Sequence, residues 1–192
     1  MYNEYQAQLF NSLQDTEYTE RKEEKIHLIK DEDFFKDIVT KFLSLRRENK
    51  QVFFIGNGGS CAIANHMTAD FMKNGKLRCI NIFASSLLTC ISNDYGYEKV
   101  FSRSIDLLGN QGDFLVAISS SGSSKNIIEA INSARLRNMG IMTLSGFSPE
   151  NKCRQLGDFN IYVPIHHYGI VESVHTLLLQ QIVDFIGNNS NS

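Results

Sequence analysis

The chain has 192 residues, with 19 Lys and Arg against 21 Asp and Glu and a formal net charge of −2. That length suits one domain, and 42% hydrophobic with 21% charged residues excludes wholesale disorder. The balance lacks a basic footprint for nucleic acid, no apolar window is long enough to span a membrane, and four scattered cysteines without a C-x-x-C pair argue against a zinc knuckle or disulfide framework.

Residues 1–50 read as an N-terminal helical arm. They contain no Gly or Pro. Phe34, Phe35, Ile38, Val39, Phe42 and Leu43 recur at helical spacing, with Asp31 or Asp33 as a cap. The run Glu20-Arg21-Lys22-Glu23-Glu24-Lys25, with its signs interspersed, reads as a solvated helix face. The opening residues show no basic segment followed by an apolar core, so no secretory signal is expected and the expected compartment is the cytoplasm.

From residue 51 short β-rich runs alternate with helical stretches. Strands are expected at Gln51–Ile55, Cys79–Phe83, Asp113–Ile118, Gly140–Leu144 and Asn160–Val163. Helices are expected at Ser60–Met72, Ser85–Ser92 and Tyr97–Leu108, from the serine loop to about Asn138, and from Ile170 to Ile186. Apolar strands alternating with helices imply an α/β, three-layer, doubly wound fold around a five-stranded parallel sheet. Residues 51–192 would form that domain. Ligands then bind beyond the carboxyl ends of the strands.

Two loops at such ends carry the chemistry. Gly56-Asn57-Gly58-Gly59-Ser60 leaves a strand and opens a helix, where glycines allow close backbone approach and free N–H groups favour an anion. Ser60 is a natural N-cap. No Gly-Lys-Ser/Thr follows, so this is not a Walker loop, and Cys61 stands where a dinucleotide fingerprint needs its third glycine. The second loop, Ser119-Ser120-Ser121-Gly122-Ser123-Ser124, places five hydroxyls at another strand end. It contains no Lys or Arg, which suits a neutral cradle for a sugar monophosphate. A plain βα turn remains the alternative for either loop alone.

These residues resemble the sugar isomerase (SIS) domain, and the chain is similar to the phosphoheptose isomerase family. The likeness includes Asn65-His66, Ser92-Asn93-Asp94-Tyr95-Gly96-Tyr97, Val100-Phe101-Ser102-Arg103 and Thr143-Leu144-Ser145-Gly146. It implies interconversion of sedoheptulose 7-phosphate and a heptose 7-phosphate for surface polysaccharides, by a homotetramer carrying zinc. It also assigns Ser60, Ser119, Ser121 and Ser124 to the phosphate, beside Gly58, Gly59 and Ser120, and puts Asn57 and Asp94 near the sugar hydroxyls.

The catalytic positions depart from the family pattern. His66 and Asp70 stand for a His and a Glu, sharing a helix face at i, i+4. Glu172 and Gln180 stand for a Gln and a His, and Gly169 for an Asp. A ketose–aldose isomerisation needs a base at the carbon-bound proton and a donor or cation at the developing oxyanion. Glu172 is the preferred base and Asp70 the second acid–base candidate. Gln180 can donate a hydrogen bond or offer its carbonyl oxygen. His66, Asp70, Glu172 and Gln180 together form a candidate N/O site for one divalent ion.

His175 reads either as a site residue or as a core histidine. His166-His167 reads as a solvent-facing loop or a ligand contact, and Cys61 as a buried thiol. The rival reading is a non-catalytic phosphosugar- or protein-binding regulator, or an isomerase for another sugar phosphate.

Overall fold

The structure, a computed structural model, describes residues 2–189. The arm is where it departs from the pattern. Helix α1 (Tyr2–Gln14) is followed by a hairpin, β1 (Glu17–Lys22) and β2 (Lys25–Ile29), and then by helix α2 (Asp31–Arg47). The charged run is therefore a hairpin and not a helix face. Glu23 and Glu24, at φ 50° and 63°, turn the chain in the left-handed region that two-residue hairpin turns need. Lys22 pairs with Glu20 at 2.9 Å, as i, i+2 neighbours on one strand face do. Local propensity for a strand is weak here. Pairing to another strand, and Tyr18 packed on Phe34 and Phe35, override it. Lys30 caps α2 with no side-chain bond, while Asp31 and Asp33 lie in the first turn, where they complement the helix dipole.

The five expected parallel strands are all present: β3 (Gln51–Gly56), β4 (Arg78–Asn81), β5 (Phe114–Ser119), β6 (Gly140–Gly146) and β7 (Phe159–Val163). The sheet order is β2-β1-β7-β6-β5-β3-β4, with β1 antiparallel to β7. The hairpin thus extends the parallel sheet to seven strands. Helices α3 (Gly58–Lys73), α4 (Ser85–Tyr95), α5 (Ser102–Leu108), α6 (Lys125–Leu136) and α7 (Tyr168–Asn188) complete the layers. The helix expected over Tyr97–Leu108 divides into a 3₁₀ turn, Tyr97–Lys99, and α5.

The core lies on both faces. Val52, Phe54, Val116 and Leu144 meet α2, α3 and α7, whereas Phe53, Ile55, Leu115 and Ile141 meet α5 and α6. This alternation is the period-two pattern of strands buried on both sides. Edge-to-face contacts of Phe42 with Phe71 (5.1 Å) and Phe114 (5.4 Å), and of Phe54 with Phe71 (5.1 Å), fix α2 and α3 on the sheet. Each such pair contributes about 0.5–1.5 kcal/mol beyond burial. The rigid seat of α3 matters because its first turn borders the site.

Candidate active site

Strands β3 and β5 are hydrogen-bonded neighbours. The helix after β3 covers one face of the sheet, and the helix after β5 covers the other. Their loops diverge, and a crevice opens between the two carboxyl ends, as expected at a topological switch point. A cavity of about 120 Å³ lies there, well above the about 10–15 Å³ that a single water requires. Ser60 lines it from the first loop and Ser119, Ser120, Ser121 and Ser124 from the second, with Asn57, Ile118, Tyr168 and Glu172 completing the wall. The two hydroxyl-bearing loops therefore share one space.

The helix starts differ in detail from the expectation. Asn57, with extended backbone, occupies the N-cap of α3, and Ser60 lies in the first turn. Gly58 takes φ +54°, a left-handed turn that admits glycine at little cost, and it lies outside the cavity wall. Gly59 lets the Glu172 carboxylate come close to the backbone of α3, since a Cβ there would push that flexible side chain aside. That carboxylate thus rests on the first turn of α3, at the positive end of the helix dipole. Ser124 is the N-cap of α6. The cavity wall contains no Lys or Arg, so an anion would meet hydroxyls, an amide and two helix starts, with the Glu172 carboxylate as the one opposing charge in the wall. Ser120, 4% exposed, has a hydroxyl without a partner. An unpaired buried hydroxyl costs about 1–3 kcal/mol, which a ligand oxygen would offset.

Asp94 does not line the cavity. It is exposed at the end of α4, accepts from Asn93 Nδ2 at 2.9 Å and meets Cys90 Sγ at 3.6 Å. Three of the four candidate metal ligands come together on α3 and α7. His66 Nε2 lies 3.2 Å from Asp70 Oδ2, Gln180 Nε2 donates to Asp70 Oδ2 at 2.6 Å, and Gln180 Nε2 lies 3.2 Å from His66 Nε2. Glu172 is not with them. Eight residues before Gln180 on α7, it packs against Gly59 instead. No three His, Cys, Asp or Glu side chains gather as a metal site among the described residues. His66 and Asp70 offer an imidazole and a carboxylate, donor types that fit a divalent ion, and Gln180 would join them only with its amide turned over, since its Nε2 faces both.

His175 is a core residue. It is fully buried, its Nε2 donates to Ser145 O at 3.1 Å, and burial pulls its pKa down to about 4. Cys61 is buried, and desolvation pushes its thiol up despite the smaller opposing effect of Asn65. His166 stacks on Phe147 at 4.2 Å, and His167 caps α7 by accepting from Ile170 N at 3.4 Å.

A larger groove, about 910 Å³, lies away from the strand ends, where Leu13, Tyr18, Leu28, Phe35, Leu177 and Phe185 line it. Size alone would favour it as a ligand site. It does meet the start of α2, but there Asp31 and Glu32 present carboxylates that would repel an anion, so the smaller cavity is the candidate for chemistry.

The SIS domain profile matches residues 17–146, a span that includes the hairpin and both serine-bearing loops. The chain belongs to the SIS-domain family. It is 36% identical over 156 residues to the phosphoheptose isomerase of Cytophaga hutchinsonii, covering 74% of this chain and 78% of that protein. It is 33% identical over 161 residues to that of Helicobacter pylori strain P12, covering 81% and 83%. The solved phosphoheptose isomerase of Neisseria gonorrhoeae superposes with a TM-score of 0.76 at 32% identity, covering 81% of this chain and 86% of that one. That of Francisella tularensis gives 0.75 at 25% identity, covering 81% and 85%. These relatives place the chain in the phosphoheptose isomerase branch of the SIS-domain proteins.

On this SIS scaffold sequence reasoning gave no role to three site residues, of which Tyr97 stood only within a motif of the resemblance. Tyr168 opens α7 and lines the cavity. Asn126 and Tyr97 both hydrogen-bond to Asn57. Asn126 stands two residues past the serine loop, and that position was its only signal.

Proposed function

We propose that this chain interconverts sedoheptulose 7-phosphate and D-glycero-D-manno-heptose 7-phosphate for the heptose of surface polysaccharides. The observation that carries this reading is one cavity bounded by both serine-bearing loops and by the Glu172 carboxylate. The phosphate would sit on Ser60, Ser119, Ser120, Ser121 and Ser124, above the starts of α3 and α6.

With the phosphate held, Glu172 takes the proton from C1 of the ketose while the C2 carbonyl oxygen gains one, giving the enediol. Return of a proton to C2, with loss of the C1 hydroxyl proton, leaves the aldose. Asp70 exchanges the oxygen-bound proton, and Gln180 holds Asp70 in place through its 2.6 Å bond. His66, Asp70 and Gln180 would hold a divalent ion such as zinc, which when bound would polarise the substrate's carbonyl oxygen.

The homotetramer implied by the resemblance would cover Leu28, Leu177 and Phe185, which are 68%, 50% and 38% exposed. Four free thiols suit the reducing cytoplasm, and no helix among the described residues is long and apolar enough to cross a membrane.

One observation favours a second reading, a binding protein without turnover: Gln180 engages the acid Asp70 directly. A different sugar phosphate is favoured by Gly169, beside which the Tyr5 hydroxyl occupies the space of a longer side chain. The test is solvent-deuterium incorporation at the enolisable carbon, followed by NMR. Exchange with sedoheptulose 7-phosphate supports the isomerase. Exchange only with another sugar phosphate changes the substrate, and no exchange with any leaves the binding protein.

A further inference from the structure

Asn57 lies at the cavity wall, and its hydrogen bonds are nearly all accounted for. Its Oδ1 accepts from Asn126 Nδ2 at 2.9 Å and from the Tyr97 hydroxyl at 3.0 Å. Its Nδ2 donates to Asn126 Oδ1 at 2.9 Å. A carbonyl oxygen has two lone pairs and an amide nitrogen two protons. Both lone pairs are taken, and one N–H is left over. The amide pair by itself would survive a flip of both side chains. The Tyr97 bond breaks that symmetry, because a phenol donates its proton far better than it accepts one. Asn126 is 2% exposed and lies in the first turn of α6, so the pair also ties the two helix starts that flank the cavity.

We propose that Asn126 and Tyr97 are positioning residues that present the free Asn57 N–H to an oxygen of the bound sugar phosphate. The capacity they leave is a donor. Asn57 therefore donates to a substrate oxygen and does not accept from a sugar hydroxyl. This rests on the sugar-phosphate reading above.

The experiment measures Kd for sedoheptulose 7-phosphate by calorimetry, together with KM and kcat from the deuterium-exchange assay, for the full chain, Asn126→Ala and Tyr97→Phe. Losing the oriented hydrogen bond weakens binding by about tenfold in Asn126→Ala and about threefold in Tyr97→Phe. KM follows Kd, and kcat stays within about twofold. A merely structural role lowers kcat through loss of active protein and leaves KM unchanged. If Asn126→Ala fails to fold, Tyr97→Phe carries the test, because it removes only the hydroxyl of an exposed side chain. Kd and KM equal to those of the unaltered chain in the folded variants overturn the proposal. Binding without exchange by the unaltered chain overturns the isomerase reading only, since Kd is read independently of turnover. Absence of binding by the unaltered chain overturns both.

Discussion

The cavity between β3 and β5 and the His66–Asp70–Gln180 cluster are built in opposite ways. The cavity is made of short side chains and backbone at strand ends, and Ser60, Ser119 and Ser120 are all buried. The cluster is made of longer side chains reaching between two helices, and the His66 side chain is 59% exposed. Short groups on buried turns lose little freedom when a ligand arrives, whereas long exposed ones lose more. Grip on the anion is therefore tied to the fold, while the chemistry beside it can change one residue at a time. The departures from the family pattern, Asp70, Glu172, Gln180 and Gly169, all fall on the helices and none in the loops.

The sharpest way to break this contrast is to remove the carboxylate in the cavity wall. Glu172→Gln keeps the shape against Gly59 and lowers the rate of deuterium exchange by about 10²–10⁴-fold, the usual contribution of a general base. Calorimetric affinity for the sugar phosphate stays within a few-fold. Retained turnover in the folded variant would assign the base elsewhere.

The second effect concerns the framework under the cavity. His175 has its pKa lowered to about 4 in the folded chain, against about 6.5 when unfolded. Between those values the unfolded chain binds the extra proton, so the contribution of neutral His175 is complete above about pH 6.5 and is lost as pH falls towards 4. The loss totals roughly 3 kcal/mol. Urea unfolding across that window checks it, and His175→Gln, which removes the titrating group, should flatten the dependence.

Gln180→Ala frees Asp70 from its 2.6 Å partner. The expected result is about a tenfold fall in kcat with Kd unchanged, measured by exchange kinetics and calorimetry. A rise in kcat would mean that Gln180 restrains the acid. The smallest effect belongs to the cradle: Ser121→Ala should weaken sugar-phosphate binding by about two- to tenfold, the range for one hydrogen bond. Binding of the unphosphorylated sugar stays constant in the same titration.

Both loops were legible because glycine and serine at the end of an apolar run have a backbone meaning that survives without tertiary context. The five parallel strands were legible for the same reason, as runs buried on two faces. The hairpin was not, since Glu17–Lys22 has few β-formers and becomes a strand only by pairing with β7. The cluster was half legible. The i, i+4 spacing of His66 and Asp70 puts them on one face, but only tertiary packing of α3 on α7 reveals that Gln180 joins them and Glu172 does not. Asp94 shows the converse, because Tyr97 three residues on reaches Asn57 while the Asp94 side chain turns to Cys90 and Asn93. Asn126 was hidden because a polar residue in the first turn of a helix has many reasons to be there.

The central claim is that the two loops hold a phosphate monoester. It is tested most directly by calorimetric titration of the full chain with sedoheptulose 7-phosphate and with unphosphorylated sedoheptulose. Several hydrogen bonds from buried hydroxyls and backbone groups to a dianion should make the phosphorylated sugar bind at least about a hundredfold more tightly. Equal affinities would show that the cavity between β3 and β5 does not read phosphate.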